Sequence, residues 1–175
     1  MPRPHIDQIR VLPDFPTMYQ WNFRLSDPPK GVQNSDVDEL NKRCLSSEIP
    51  KKTGQSIDIQ VRGHHTKQPG IYDSTHTITV TFVETIDNYV ANFLRSWREL
   101  CWEKKTGVQQ SRADCTGTVV LEQLNRQDTG IWTYTLYGCW LEDYDPTGGT
   151  WDGTASEVLR PSLTLSYDWF DDVGA

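Results

Sequence analysis

The sequence predicts a mainly β fold: an antiparallel β-sandwich or barrel of about six or seven strands, with one flanking amphipathic helix over about residues 86–104. Three observations predict it. Several short runs alternate apolar and polar residues with a period of two. One run switches to a helical period and then back. Clusters of Gly, Pro, Asn and Asp separate the runs, with no internal repeat and no linker-like stretch between them.

Each element follows from its own pattern. Residues 1–16 hold Pro2, Pro4, Pro13 and Pro16 and show no periodicity, which predicts an extended N-terminal arm. Tyr19, Trp21, Phe23 and Leu25 then alternate with Gln20, Asn22 and Arg24, a half-buried strand. Asp27-Pro28-Pro29-Lys30-Gly31 ends it, because consecutive prolines cannot donate to a ladder. Residues 32–56 are polar and weakly patterned. A short strand is predicted near residues 40–45, and a loop through Ile49, Pro50, Lys51, Lys52, Thr53 and Gly54. Ile57, Ile59 and Val61 alternate with Asp58, Gln60 and Arg62, a strand with its aliphatic face toward the core. Residues 63–70, with His64 and His65, read as a loop.

The threonine-rich stretch Thr77, Ile78, Thr79, Val80, Thr81, Phe82 is β-branched on both faces and predicts a strand. The period then changes. Ile86, Tyr89, Val90, Phe93, Leu94, Trp97 and Leu100 recur at helical spacing, with Cys101 next on the same face, and charged residues opposite. Thr85 or Asp87 can cap the start, Lys104 and Lys105 suit the C-terminal end, and Gly107 can supply the stop. Residues 118–124 and 131–138 are two further strands around the hairpin-like segment Asn125-Arg126-Gln127-Asp128-Thr129-Gly130. An acidic, glycine-rich loop spans residues 142–153. Leu163, Leu165, Tyr167 and Trp169 alternate with small polar residues in a last strand. The domain thus runs over residues 17–170, and residues 171–175 are a C-terminal tail.

Composition narrows the function classes. The 175 residues carry a formal net charge of −7 and a mean hydropathy of −0.61. An acidic chain is poorly suited to grip nucleic acid, which needs clustered Lys and Arg. No run of apolar residues is long enough for a membrane-spanning helix. The N-terminal residues lack the apolar core of a signal peptide, so folding in a cytoplasm is expected. Seven Trp and seven Tyr suit a core and a subunit interface equally well.

Candidate sites of chemistry are weak. His64, His65, His76 and Asp73 lack metal-ligand spacing, and Asp143, Asp145 and Asp152 lack the ligand order of a calcium loop. No nucleophile elbow, phosphate loop or dinucleotide fingerprint occurs, so neither enzymatic activity nor a cofactor is expected. Cys44, Cys101, Cys115 and Cys139 fit no zinc motif. They read first as buried thiols and second as candidate disulfide partners.

The order of elements resembles the tail tube proteins of contractile-tailed bacteriophages, over nearly the whole chain from about Thr17 onward. Three stretches carry the likeness: Cys44-Leu45-Ser46-Ser47-Glu48-Ile49-Pro50, Tyr137-Gly138-Cys139-Trp140 and Ser166-Tyr167-Asp168-Trp169-Phe170. The resemblance implies a virion protein assembled in the host cytoplasm. Hexameric rings would stack head to tail into a tube inside a contractile sheath, with sheath, baseplate and tail-terminator proteins as partners. Double-stranded DNA would pass through the channel without specific binding. On this reading Asp58, Gln60, Arg62 and Glu122 are lumen-facing candidates. The loop from Ile49 to Gly54 would stack rings, its lysines meeting Glu142, Asp143 or Asp145 of the next ring. A baseplate or tube-initiating relative of the same fold, and a small-molecule-binding β-barrel, are the alternatives.

Overall fold

The computed structural model describes residues 5–31, 34–149, 151–154 and 156–174. Residues 1–4 of the predicted arm, Thr150 of the acidic loop and Ala175 of the predicted tail lie outside the described residues. The chain order is α1 (Ile6–Arg10), β1 (Trp21–Asp27), α2 (Asn34–Lys42), β2 (Cys44–Ser47), β3 (Lys52–Val61), β4 (His64–Ser74), β5 (Thr77–Phe82), α3 (Tyr89–Cys101), α4 (Arg112–Cys115), β6 (Gly117–Leu124), β7 (Gly130–Asp145), β8 (Ser162–Ser166) and β9 (Trp169–Gly174).

Seven strands form one antiparallel sheet in the order β1-β6-β7-β8-β5-β2, with β9 also paired to β7. β7 makes this possible. Its first part pairs with β6 on one side and β9 on the other, and its last part pairs with β8. The strand bends at Gly138, whose φ of 66° lies in the left-handed region. A side chain there would also collide with the Asp168 carboxylate. The sheet therefore folds over on itself. Phe23 of β1 meets Phe82 of β5 edge to face, with ring centroids 5.8 Å apart. β1 and β2 do not pair, so the sheet is not a closed barrel.

One core fills the fold. β1, β5, β6 and β8 each turn alternate residues inward, among them Leu25, Val80, Val119 and Leu165. α3 closes over them with Val90, Phe93, Leu94 and Trp97. The Trp97 indole donates to the Cys115 carbonyl at 3.0 Å, so its polar edge is satisfied inside the core. α2 adds Val37 and Leu40, and its Asn41 side chain accepts from the Phe23 N–H of edge strand β1 at 3.2 Å.

Several expectations are corrected. A short helix, α1, occupies part of the predicted extended arm; His5 accepts from the Asp7 N–H and Gln8 reaches back to the His5 N–H, a reciprocal cap. The strand predicted near 40–45 is the end of α2 followed by β2. The acidic tail enters the sheet as β9, because Tyr167 and Asp168 interrupt the predicted last strand and redirect the chain to β7. α3 begins at Tyr89, so Ile86 is fully exposed instead of core-facing. The Asp87 carboxylate accepts from the Tyr89 N–H at the first residue of α3, and Glu84 holds the next two: its carboxylate accepts from the N–H groups of Val90 at 3.1 Å and Ala91 at 2.8 Å, and from Thr85 at 3.0 Å. Gly107 has the expected positive φ of 70° but closes a turn beyond the helix, where its N–H bonds the Glu103 carbonyl.

Candidate assembly surfaces

The largest departure from expectation is also the most conspicuous surface. The predicted loop at 63–70 is strand β4, and with β3 it forms a separate two-stranded sheet. The turn is made by Arg62 and Gly63, with φ of 47° and 84°. Register places Asp58 opposite Lys67, Ile59 opposite Thr66 and Gln60 opposite His65, with a bulge between Gly54 and Ser56. The hairpin thus has two faces. On one, Asp58 sits 3.4 Å from the His65 ring and 3.7 Å from the Lys67 ammonium. On the other lie Ile57, Ile59 and Val61.

The predicted core-facing role of that aliphatic face is not met. Ile57 is 54% exposed, Val61 59%, and Ile71 on the partner strand 72%. No residue from Lys52 to Ser74 is buried. The alternation is real, but none of the described residues buries the apolar side.

The segment predicted as a stacking loop is the root of this hairpin. Pro50 is buried and Ile49 exposed; Lys52, Thr53 and Gly54 already belong to β3, with the Tyr72 ring packed over Gly54. Lys52 pairs with Asp172 of β9, and its ammonium lies 5.6 Å from the Phe170 ring centre.

The lumen-facing candidates do not come together. Asp58 and Gln60 stand on β3 and Arg62 at the hairpin turn, whereas Glu122 stands on β6, half-buried. Glu122 belongs to the outward face of β1, β6, β7 and β9. Pairing sets Asn22 against Glu122, Glu122 against Thr133 and Thr133 against Val173; the next row is Arg24, Val120, Thr135 and Asp171. This four-stranded face is mostly polar. In the chain, β1 and β9 each have a neighbour on one side only.

The remaining predicted residues are structural. Val90, Phe93, Leu94 and Trp97 are buried; Tyr89 lies half-buried under the Arg43 guanidinium, 4.6 Å from its ring centre, and Leu100 is half-buried. All four cysteines are free thiols. Burial pushes Cys44 and Cys139 up to about 12. Cys101 is also pushed up to about 12, by burial first and its hydrogen bond with Cys115 second. Thiols this basic are not nucleophiles at neutral pH. The Asp145 and Asp152 carboxylates accept from the N–H groups of Thr147 and Thr154, both at 2.9 Å, and these bonds hold them below the usual carboxylate range. Among the described residues, no cluster of three metal-ligating side chains occurs, and no helix is long and apolar enough to cross a membrane.

The geometry defines a folded-sheet body with open strand edges and a projecting, uncovered two-stranded arm. Solved structures with this fold come from contractile injection systems. A chain of the anti-feeding prophage cap, the tube-terminating cap, superposes with a TM-score of 0.65 at 14% identity, covering 94% of this chain and 95% of that one. A chain of the PVC extracellular contractile injection system, in its sheath/tube terminator, gives 0.60 at 15% identity, with 94% and 99% covered. A chain of the sheath-tube complex of the PVC system gives 0.58 at 15% identity, with 99% and 100% covered. No family model and no curated protein matches the sequence. The shared fold is the one that the likeness to phage tail tube proteins implies.

Proposed function

We propose that this chain is a structural, non-enzymatic subunit of the tube in a contractile tail-like particle. The observation that carries the reading is the hairpin from Lys52 to Ser74, a bulged ladder with an apolar face that the described residues leave in water. An isolated two-stranded hairpin is marginal in water, so a docking partner would complete it. A second copy suits this role, because a head-to-tail contact between unlike patches propagates.

On this reading β1 of one subunit joins β9 of the next. Six subunits close a ring, and the open edges of β1 and β9 disappear. The polar face of β1, β6, β7 and β9, with Glu122 and Asp171 outnumbering Arg24, lines the channel. The hairpin reaches the adjacent ring. A weakly acidic wall repels phosphate, which suits transit of double-stranded DNA or another acidic cargo without binding. Sheath, baseplate and terminator proteins are the partners, and the particle assembles in the cytoplasm of its host. A terminator or initiator subunit is the second reading, favoured by likenesses to chains of capped and terminated tubes.

Negative-stain electron microscopy of the purified protein across a concentration series tests this. Hollow rings or tubes support the tube subunit. Single rings that never lengthen support a terminator or initiator. A chain that stays monomeric and also fails to extend purified baseplates overturns both.

A further inference from the structure

The hairpin meets the body at one corner, and His76 stands in it, between β4 and β5. Both of its ring nitrogens face acceptors. Nε2 lies 3.0 Å from Oδ1 of Asp73 on β4. Nδ1 lies 3.3 Å from the main-chain carbonyl of Tyr167, between β8 and β9. A carboxylate and a carbonyl have no proton to give, and a neutral imidazole carries one N–H. The neutral ring therefore sets a lone pair against one of these oxygens. Only the imidazolium donates to both.

The contacts around it hold the corner in place. The Thr75 N–H donates to the Lys51 carbonyl at 2.9 Å, closing the hairpin root, and the Tyr167 N–H donates to the His76 carbonyl at 2.9 Å. The Thr75 hydroxyl meets the Tyr167 phenol at 3.0 Å. Other titratable groups here are neutral or engaged elsewhere. Burial raises the Tyr167 phenol and the Cys139 thiol behind it. The Asp168 carboxylate is turned to Arg112, and Lys52 is held by Asp172. Asp73 is the charged group in contact with the ring, and the Ser74 N–H, followed by His76, holds it below the usual carboxylate range.

We propose that His76 is a pH-sensitive pin: as the imidazolium it ties the root of the β3–β4 hairpin to the corner between β8 and β9, and its deprotonation frees that side of the root. The Asp73 hydrogen bond first, and the Tyr167 carbonyl second, raise the His76 pKa. The pin is therefore complete below the ordinary histidine value of about 6.5, and it is lost as pH rises through the raised value. Its bearing on assembly, by fixing the pose in which the hairpin docks, rests on the tube reading; the pin itself does not.

Histidine ring resonances and amide hydrogen exchange, followed against pH in the full-length chain at a concentration where it is monomeric, test the pin. The His76 midpoint should lie higher in the wild type than in Asp73→Asn. Relative to its intrinsic rate, the Thr75 amide should exchange about two- to five-fold faster above the midpoint than below it, the range for an exposed ion pair. In His76→Gln that dependence should vanish. Both substitutions fall at exposed positions, and near-ultraviolet circular dichroism checks their fold. Equal midpoints in wild type and Asp73→Asn, or Thr75 protection that ignores pH in the wild type, would overturn the proposal. The readout is on the monomer, so absence of rings leaves the pin standing and their presence does not rescue it.

Discussion

The folded-sheet body and the β3–β4 hairpin use the same alternation of apolar and polar residues to opposite ends. In β5 the inward set Ile78, Val80 and Phe82 is at most 1% exposed, because α3 and the facing strands lie over it. In β3 the equivalent set includes Ile57 and Val61, both more than half exposed. Both strands are laddered to a partner, β5 without interruption and β3 with one bulge. The difference teaches that alternation fixes two faces of a strand, whereas burial depends on whether another element arrives to cover one of them. The body obtains that cover from within the chain, and among the described residues the hairpin does not.

Substitutions in the two regions should therefore separate folding from assembly. The largest effect is expected in the body. Trp97→Ala should cost about 3–5 kcal/mol in chemical denaturation, through the cavity it opens, and it also removes the indole donor of the Cys115 carbonyl. A loss below about 1 kcal/mol would mean that α3 does not close the core as described. Next is the carboxylate under the start of α3. Glu84→Ala should cost about 1–3 kcal/mol, because it orphans buried helix N–H groups. Glu84→Gln, which keeps an acceptor oxygen but loses the charge, should recover part of this in the same measurement. The smallest effect on stability belongs to the hairpin. Ile57→Ser with Ile71→Ser should leave the monomer within about 0.5 kcal/mol of wild type, yet abolish rings or tubes in the microscope. Normal tubes from this double variant would show that the apolar face of the hairpin is not a docking surface.

How far the sequence was legible follows from the same contrast. The strand at 77–82, the strand pair around residues 125–130 and the core side of α3 were readable, because each signal is local and dense. The hairpin turn-like segment is as local as it looked: the Asn125 carboxamide accepts from the Gln127 and Thr129 N–H groups, and Asp128 takes a positive φ of 57°. β4 was hidden. Pro69, Gly70 and two histidines look like a loop, and the strand exists because β3 supplies the partner ladder. α2 was hidden because only Val37 and Leu40 mark its apolar side. β9 was hidden because Asp171 and Asp172 look like an acidic end, although Phe170 anchors the strand from within the core. Of the candidate site, the two-faced character of 57–62 was visible. Its separation from Glu122 was not, since pairing partners far along the chain decide which strands share a sheet.

Glu84 illustrates a different limit. It stands five residues before the first residue of α3, outside the positions where a cap is ordinarily sought. Asn88, in the ordinary position, has a φ of 51° and makes no side-chain cap. A buried carboxylate next to a helix start is a tertiary solution to a local need, and no short-range pattern announces it.

β7 has a further consequence. Because it serves both halves of the folded sheet, neither half owns its central support. Melting β6 or β9 away exposes the same strand that β8 needs, and the reverse holds equally. The body therefore has no natural line along which to come apart in stages, and a single cooperative unfolding transition is expected. A pull applied at one end of β7 is likewise transmitted through the Gly138 bend into both halves at once.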